Sequence, residues 1–312
     1  MMLINYFAES LNCSKNHLQQ QLACSENELM TRLQALMQQG IQFILSEDSV
    51  QLQPLLPLLN IEKIQQGLTP QRAYYQKVIH STNQYLLENR QTLHKGDLCL
   101  TEFQSAGRGR RGKKWISPFA GQIILSLYWT LSPKQNLNGL SLVVGLAVAE
   151  VLADLGLEQV GLKWPNDILV EERKLAGILV EMAPRKNGPL QLVIGLGLNV
   201  AFPSQQLAVG QPYAQLQDYL PNIDRSDLII LLVQKISLYL LLFEKQGMPL
   251  FYSQWNRFDA FYGQEVSLIE QNTMINGIEK GIDSAGFLQI QRENHSNLEK
   301  FNIGDVSLRK KK

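Results

Sequence analysis

Gly107-Arg108-Gly109-Arg110-Arg111-Gly112-Lys113-Lys114-Trp115 packs five cations and three glycines into eight residues before the tryptophan, with no acid among them. Its glycines imitate the G-x-G-x-x-G dinucleotide fingerprint, and Gly107, Gly112 and Lys113 nearly imitate a P-loop. Both motifs need a helix to open at once, so that its N-terminus receives the phosphate. Here Trp115-Ile116-Ser117-Pro118 and Gly121 follow, then the strand-like run Ile123 to Trp129, and Lys114 stands where a P-loop needs Ser or Thr. The stretch therefore excludes both nucleotide folds and leaves a basic loop between two strands. Clustered arginines offer planar, charge-assisted donors, and glycines let the backbone approach a ligand. Such a loop is expected to take its order from an anion, although the residues alone also fit a solvated basic loop.

Composition narrows the class. The chain has 312 residues, 45% hydrophobic and 18% charged, which predicts two or three domains with sizeable cores. A net charge of +1 gives no global field toward nucleic acid or membrane. Met1 to Tyr6 has no basic run and no small-residue cleavage site, which argues against a secretory signal. Leu228 to Phe243, broken by Gln234 and Lys235, is expected to fall short of a membrane span. Cys13, Cys24 and Cys99 form no Cys-x-x-Cys pair, as a reducing cytoplasm allows. The scattered histidines predict no zinc site, and Arg309 to Lys312 reads as a solvated tail.

Outward from the loop, the chain reads as α+β. Ser14 caps a helix through Leu22, and Ser25-Glu26-Asn27-Glu28 is a capping box for a second, with Gly40 as its stop. Ile41 to Leu45 and Val50 to Leu52 read as a hairpin, giving the layout of a winged helix-turn-helix over residues 1–62. Residues 1–60 of that module carry two cations against five acids, a net −3, which argues against strong DNA binding. Gln53 to Lys63 reads as a linker. Residues 63–262 mix strands (Val78 to His80, Leu98 to Phe103, Val160 to Trp164, Ile168 to Val170, Leu175 to Glu181, Leu192 to Val200) with helices. The helices run to about Arg90, over Val143 to Leu155, from Ser226 to near Gly247, and over Phe251 to Tyr262. Residues 263–312 predict a small β-barrel from short strands at Glu265 to Ile269, Phe287 to Gln291 and Val306 to Leu308.

Three further elements carry chemistry. Ser81-Thr82-Asn83 stands where a strand turns into a helix, as an ordinary cap or as a cradle for a urea or amide head group. Lys163-Trp164-Pro165-Asn166-Asp167 and Lys174 place cations beside apolar strands, where each needs an anionic partner unless a surface hairpin simply tolerates them. Gly195 and Gly197 clear one face of a strand for a ligand or for tight packing. No cysteine or serine has an evident histidine partner in the sequence, which suits phosphoryl or adenylyl transfer by positioning and charge.

In this order and at this spacing, these elements resemble the bacterial biotin–protein ligase family in its bifunctional form with an N-terminal biotin-operon repressor domain. The resemblance implies a central sheet like that of class II synthetases and an SH3-like C-terminal barrel. It also implies a two-step reaction. Biotin and Mg-ATP give biotinyl-5′-AMP, and biotin then passes to a lysine of the biotin carboxyl carrier protein of acetyl-CoA carboxylase. By motif, Ser81, Thr82, Asn83, Gln104, Gly107, Arg108, Gly109, Arg110 and Lys174 would hold biotin or its adenylate. Trp115 would lie against adenine, and Lys163, Asn166 and Asn199 would serve ATP. Lys174, Lys163, Arg110 and Asp167 would carry catalysis, with Asp167 helping the incoming lysine, and the protein would supply no metal ligand. A cytoplasmic homodimer formed on adenylate binding, free of membrane, is the matching expectation. Glu26, Glu28, Glu47 and Asp48 depart from the basic residues of such repressors, so operator binding through residues 14–52 is in doubt. The alternatives are a lipoate–protein ligase and a biotinyl-AMP-responsive DNA-binding regulator without useful catalysis.

Overall fold

Side chains that take up free backbone N–H groups set the helix starts at the front of the chain. The computed structural model describes residues 3–7, 10–184, 188–203, 210–270, 273–292, 297–302 and 306–310. After β1 (Asn12–Ser14), Ser14 accepts from the His17 N–H to open α1 (Lys15–Leu22). Ser25 and Glu28 form the complete capping box of α2 (Glu26–Met37). Gly40, at φ 87°, turns the chain into the hairpin of β2 (Gln42–Leu45) and β3 (Ser49–Gln53). These strands pair in the order β1-β3-β2, so the expected hairpin gains a third strand too short to show in a sequence pattern.

The segment read as a linker is fastened to the rest of the molecule. Asn60 caps α3 (Ile61–Leu68), and the Leu59 N–H donates to Glu102 Oε1 at 2.7 Å. Arg225, 4% exposed, reaches Glu102 Oε2 at 2.8 Å and also donates to the carbonyls of Pro57 and Gln122. The front module's core (Phe7, Leu33, Ile41 and neighbours) continues into Phe103, Phe119 and Ala120, so one packed cluster spans both sides of that segment.

The central sheet comprises β4 (Ala73–Ile79), β5 (Leu98–Gln104), β6 (Gln122–Leu131), β7 (Val160–Lys163), β8 (Asp167–Val170), β9 (Arg173–Met182) and β10 (Leu190–Asn199). Among the described residues its order is β4-β5-β6-β10-β9-β8-β7, parallel only between β4 and β5. Between β4 and β5 runs α4 (Thr82–Asn89). Apolar on nearly every side, α5 (Leu140–Asp154) is buried against α6 (Arg225–Gln246). At 22 residues, α6 does reach the length and apolarity of a membrane span, contrary to the expectation. Half of its apolar window is packed inside the protein, where Leu228, Ile229, Leu232 and Leu240 join the core.

The aromatic helix is shorter than its sequence implies. α7 covers only Tyr252–Arg257, because residues 258–260 straighten and bond to Leu162 in β7 at 2.7 and 2.9 Å. Beyond them lie β11 (Glu265–Glu270), β12 (Thr273–Ile282), β13 (Leu288–Gln291), β14 (Leu298–Phe301) and β15 (Val306–Lys310). They form an antiparallel sheet in the order β14-β13-β12-β11-β15. Arg309 and Lys310, expected in a solvated tail, belong to β15, and Lys310 bonds to Glu172; Lys311 and Lys312 lie outside the described residues.

Candidate active site

The N-terminus of α4, the basic loop, the β7–β8 turn and the strands β9 and β10 enclose one cavity of about 910 Å³. Every site residue expected from the sequence lines it except Gly107. Gly107 serves the loop instead, since a Cβ there would lie 2.6 Å from the Trp115 carbonyl. The loop was expected to draw its order from an anion, but it closes on itself. Gly109 N–H donates to Lys113 O at 2.7 Å and Trp115 N–H to Gly107 O at 2.9 Å, with Arg111 (φ 57°) and Gly112 (φ 70°) making the reversal. Two of its arginines, Arg108 and Arg110, are tied down as well. Arg108 donates to Gln84 Oε1 at 3.2 Å and to Glu181 Oε2 at 3.0 Å, and Arg110 donates to Asn166 Oδ1 at 3.1 Å.

One end of the cavity is polar, and its charges, Arg108 and Glu181, neutralise each other as an ion pair. Ser81 caps α4, and Thr82 donates through both its N–H (2.8 Å) and its hydroxyl (3.1 Å) to Gln104 Oε1. Asn83 donates to Glu181 Oε2 at 2.7 Å, while its Oδ1 accepts from Ser126 at 2.5 Å. Gly195 makes the room, because a Cβ there would stand 2.4 Å from Asn83 Oδ1. Gly197 does the same for Trp115, whose ring would be 2.4 Å from such a carbon. The alternate glycines of β10 are thus cleared for two side chains of the site itself. Trp115 Nε1 is held by Gln122 Oε1 at 3.1 Å.

The other end is cationic. Lys174 Nζ lies 2.7 Å from Asp167 Oδ1, the anionic partner its setting demanded, and 5.5 Å over the Trp115 ring. Lys163, half-buried, lies 5.6 Å over the Phe261 ring. Burial pushes its ammonium below the ordinary lysine range; Asp167 opposes this, while Lys174, Lys113 and Arg309 add to it. A cation held this way is stabilised by an anionic ligand. Asn199 is occupied structurally. Its Oδ1 accepts from Gln122 at 2.8 Å, and its Nδ2 donates to the carbonyls of Lys174 and Ala214. Among the described residues no group of three or more His, Cys, Asp or Glu could hold a metal ion.

Sequence reasoning missed Glu181, Gln122 and Arg309. Glu181 is one acid in an ordinary strand, Gln122 carries no charge, and Arg309 sits at the far end of the chain. No spacing within the sequence ties them to the loop.

A cavity with a neutral head-group end and a cationic end fits an acid activated through a phosphate, and comparison with known proteins gives the class. Residues 75–199 match the biotin/lipoate A/B protein ligase family, and residues 261–309 match the biotin protein ligase C-terminal domain. The bifunctional ligase/repressor BirA of Escherichia coli (strain K12) is 40% identical over 257 residues, 81% of this chain and 79% of that protein. The biotin–[acetyl-CoA-carboxylase] ligase of Mycobacterium tuberculosis is 44% identical over 110 residues, 34% of this chain and 40% of its own. Among solved structures, the Aquifex aeolicus biotin protein ligase in complex with biotin and ATP superposes with a TM-score of 0.68 at 28% identity, covering 77% of this chain and 99% of its own. The chain belongs to the biotin–protein ligase family, with the mixed central sheet and antiparallel C-terminal sheet of that family's structures.

Proposed function

We propose that this chain activates biotin with ATP and transfers it to a lysine of a biotin carboxyl carrier protein, such as that of acetyl-CoA carboxylase. The observation that carries the reading is the single cavity joining the α4 end, with Ser81, Thr82 and Asn83, to the cationic end, with Lys163, Lys174 and Arg110. The C-terminal domain match favours biotin over lipoate. Gln104 and the α4 groups take the ureido head, and Arg108 and Gly109 cover it. Trp115 offers its face to adenine, and Lys163 with Asn166 meets the phosphates. Asn199 acts by bracing Gln122, which holds Trp115. Mg²⁺ would accompany the nucleotide and add positive charge at its phosphates.

In the first step the biotin carboxylate adds to the α-phosphorus and pyrophosphate leaves. Lys174, Lys163 and Arg110 offset the negative charge that gathers on the phosphate oxygens. In the second, the carrier amine adds to the acyl carbon, the bond from acyl carbon to phosphate oxygen breaks and AMP leaves. Asp167 takes the ammonium proton once Lys174 has turned from it to the phosphate. The closed loop keeps water from the mixed anhydride between the steps.

The front module, residues 1–62, is a winged helix-turn-helix in this reading, ahead of a ligase domain (63–262) related in layout to class II synthetases and an SH3-like barrel (263–312). The acids Glu26, Glu28, Glu47 and Asp48 are exposed, so operator contact is weak at best; a titration against palindromic DNA at low salt tests it, a steep salt slope supporting contact. A cytoplasmic homodimer assembled on the adenylate completes the proposal; sedimentation with biotin and ATP that stays monomeric counts against it. The deciding experiment is pyrophosphate exchange into ATP, run with biotin and with lipoate. Exchange with biotin alone supports the ligase, exchange with lipoate alone changes the substrate, and exchange with neither leaves a DNA-binding regulator.

A further inference from the structure

A buried acid, Glu279, and a half-buried one, Asp259, lie behind Phe261 and Lys163 of the cavity wall, outside the reaction described above. Glu279 of β12 is 0% exposed, and among the described residues neither of its carboxylate oxygens has a hydrogen-bond donor. Asp259 accepts the Phe261 N–H at 2.9 Å on Oδ1, and its Oδ2 has no donor. The backbone builds this meeting from two sheets. Asp259 bridges to Leu162, the residue before Lys163, and so extends the central sheet past β7. Glu279 arrives from the C-terminal sheet. Its carbonyl accepts the Gly263 N–H at 2.9 Å, and its N–H donates to Gln264 O at 3.0 Å. β12 also breaks register between Glu279 and Ile282, where Gly281 takes a φ of 76°. A bulge of this kind redirects side chains locally.

Two carboxylates buried side by side do not both ionise at neutral pH; one keeps its proton and bonds to the other. Lys163 follows Leu162, which bridges to Asp259, lies over the ring of Phe261, whose N–H Asp259 accepts, and lines the cavity, so its charge acts on the pair. We propose that Asp259 and Glu279 share one proton across the junction of the two sheets, and that this proton controls how far Lys163 reaches toward the nucleotide phosphates. Glu279 is then a positioning residue, contributed by the C-terminal sheet, and the assignment rests on the ligase reading above. With one proton the pair carries a single negative charge. When that proton leaves, a second negative charge draws the ammonium back toward the acids and away from the cavity. Burial first, then Asp259, holds Glu279 well above the ordinary carboxylate range, and burial raises Asp259 too. The other charged groups facing Lys163 are Asp167, Lys174, Lys113 and Arg309, so its pull toward the cavity is set against a mostly cationic wall.

The test is biotin-dependent pyrophosphate exchange from about pH 6.5 to about pH 9 with the parent and Glu279→Gln, whose amide stays a permanent donor. The parent's KM for ATP is expected to rise at least about threefold across that range with KM for biotin flat, and the variant's KM for ATP to change by less than about 1.5-fold. Parallel profiles in the two proteins overturn the proposal. Should Glu279→Gln misfold, Asp259→Asn is expected to give the same flat profile. Infrared spectra read the proton directly. The folded parent at neutral pH shows the carbonyl band of a protonated carboxylic acid, and a parent without that band also overturns the proposal. If biotin supports no exchange at any pH, the ligase reading fails, whereas the infrared band still reports on the pair.

Discussion

Lys174 Nζ lies 2.7 Å from Asp167 Oδ1 on the neighbouring strand, so the cation offered to substrate is held by a carboxylate until substrate arrives. Lys174→Ala is expected to weaken biotin binding at least about tenfold, roughly 1.4 kcal/mol. Asp167→Asn should weaken it less, because the lysine stays. The two changes act on one ion pair, so the double variant should fall short of the sum of the singles. Calorimetry on all four proteins reads this, and an unchanged dissociation constant in Lys174→Ala would reduce that lysine to hairpin surface.

Arg110 ties the loop to Asn166 at 3.1 Å and faces the cavity. Arg110→Gly should still form adenylate but release it, shortening the half-life of the retained adenylate by about tenfold or more, in keeping with a charge-assisted bond of about 1.5–3 kcal/mol. Retention at the parent's half-life would remove the loop from the role of lid.

The two glycines of β10 serve different ends of the cavity. Gly195→Ala puts a methyl 2.4 Å from Asn83 Oδ1 and should raise the dissociation constant for biotin, whereas Gly197→Ala puts one 2.4 Å from the Trp115 ring and should raise KM for ATP. Each change is expected to be about tenfold or more, since the neighbour is fixed by its own hydrogen bonds. Equal effects of both variants on both substrates would mean general disruption of the strand.

Arg225→Met leaves the Glu102 carboxylate buried with, among the described residues, only the Leu59 N–H and the Tyr75 hydroxyl for donors. Breaking such a pair on one side costs about 3–5 kcal/mol. Thermal unfolding should show it, and a melting temperature equal to the parent's would mean that water reaches Glu102.

Burial raises both carboxyls of the Asp259–Glu279 pair, so the folded chain binds that proton more tightly than the unfolded one. Stability from this pair is therefore fullest at low pH and declines as pH rises from the ordinary carboxylate range through the raised one. Glu279→Gln removes the decline. Its melting temperature should exceed the parent's at about pH 8, with the gap closing toward about pH 5. A gap of the same size at both ends would mean that no proton is bound there.

Much of this was legible in the sequence because the signals were local. The Ser25–Glu28 box starts α2, the apolar run of α5 shows as buried, and the sheet strands fall within a few residues of their apolar stretches. Local signals also gathered the site, since Lys163, Asn166, Asp167 and Lys174 lie within one hairpin region. What stayed hidden depends on partners far along the chain. The fastening of residues 57–59 needs Arg225, and the shortening of α7 needs Leu162. The seating of Arg108 needs Glu181. The loop's own order was missed because its charges suggest repulsion, while its hairpin bonds run through the backbone.

Phe103 and Phe119, which flank the basic loop, are packed in the same core as the front helices, and Arg225 pins the segment between the two parts. The segment between them is held by hydrogen bonds at Pro57 and Leu59. A ligand gripped by the first sixty residues and a ligand gripped by the loop would therefore load opposite ends of one stiff lever. Whatever factor the second adds to the first's affinity, the first must return to the second. A front module that never met DNA would still be packed against the residues that flank the loop.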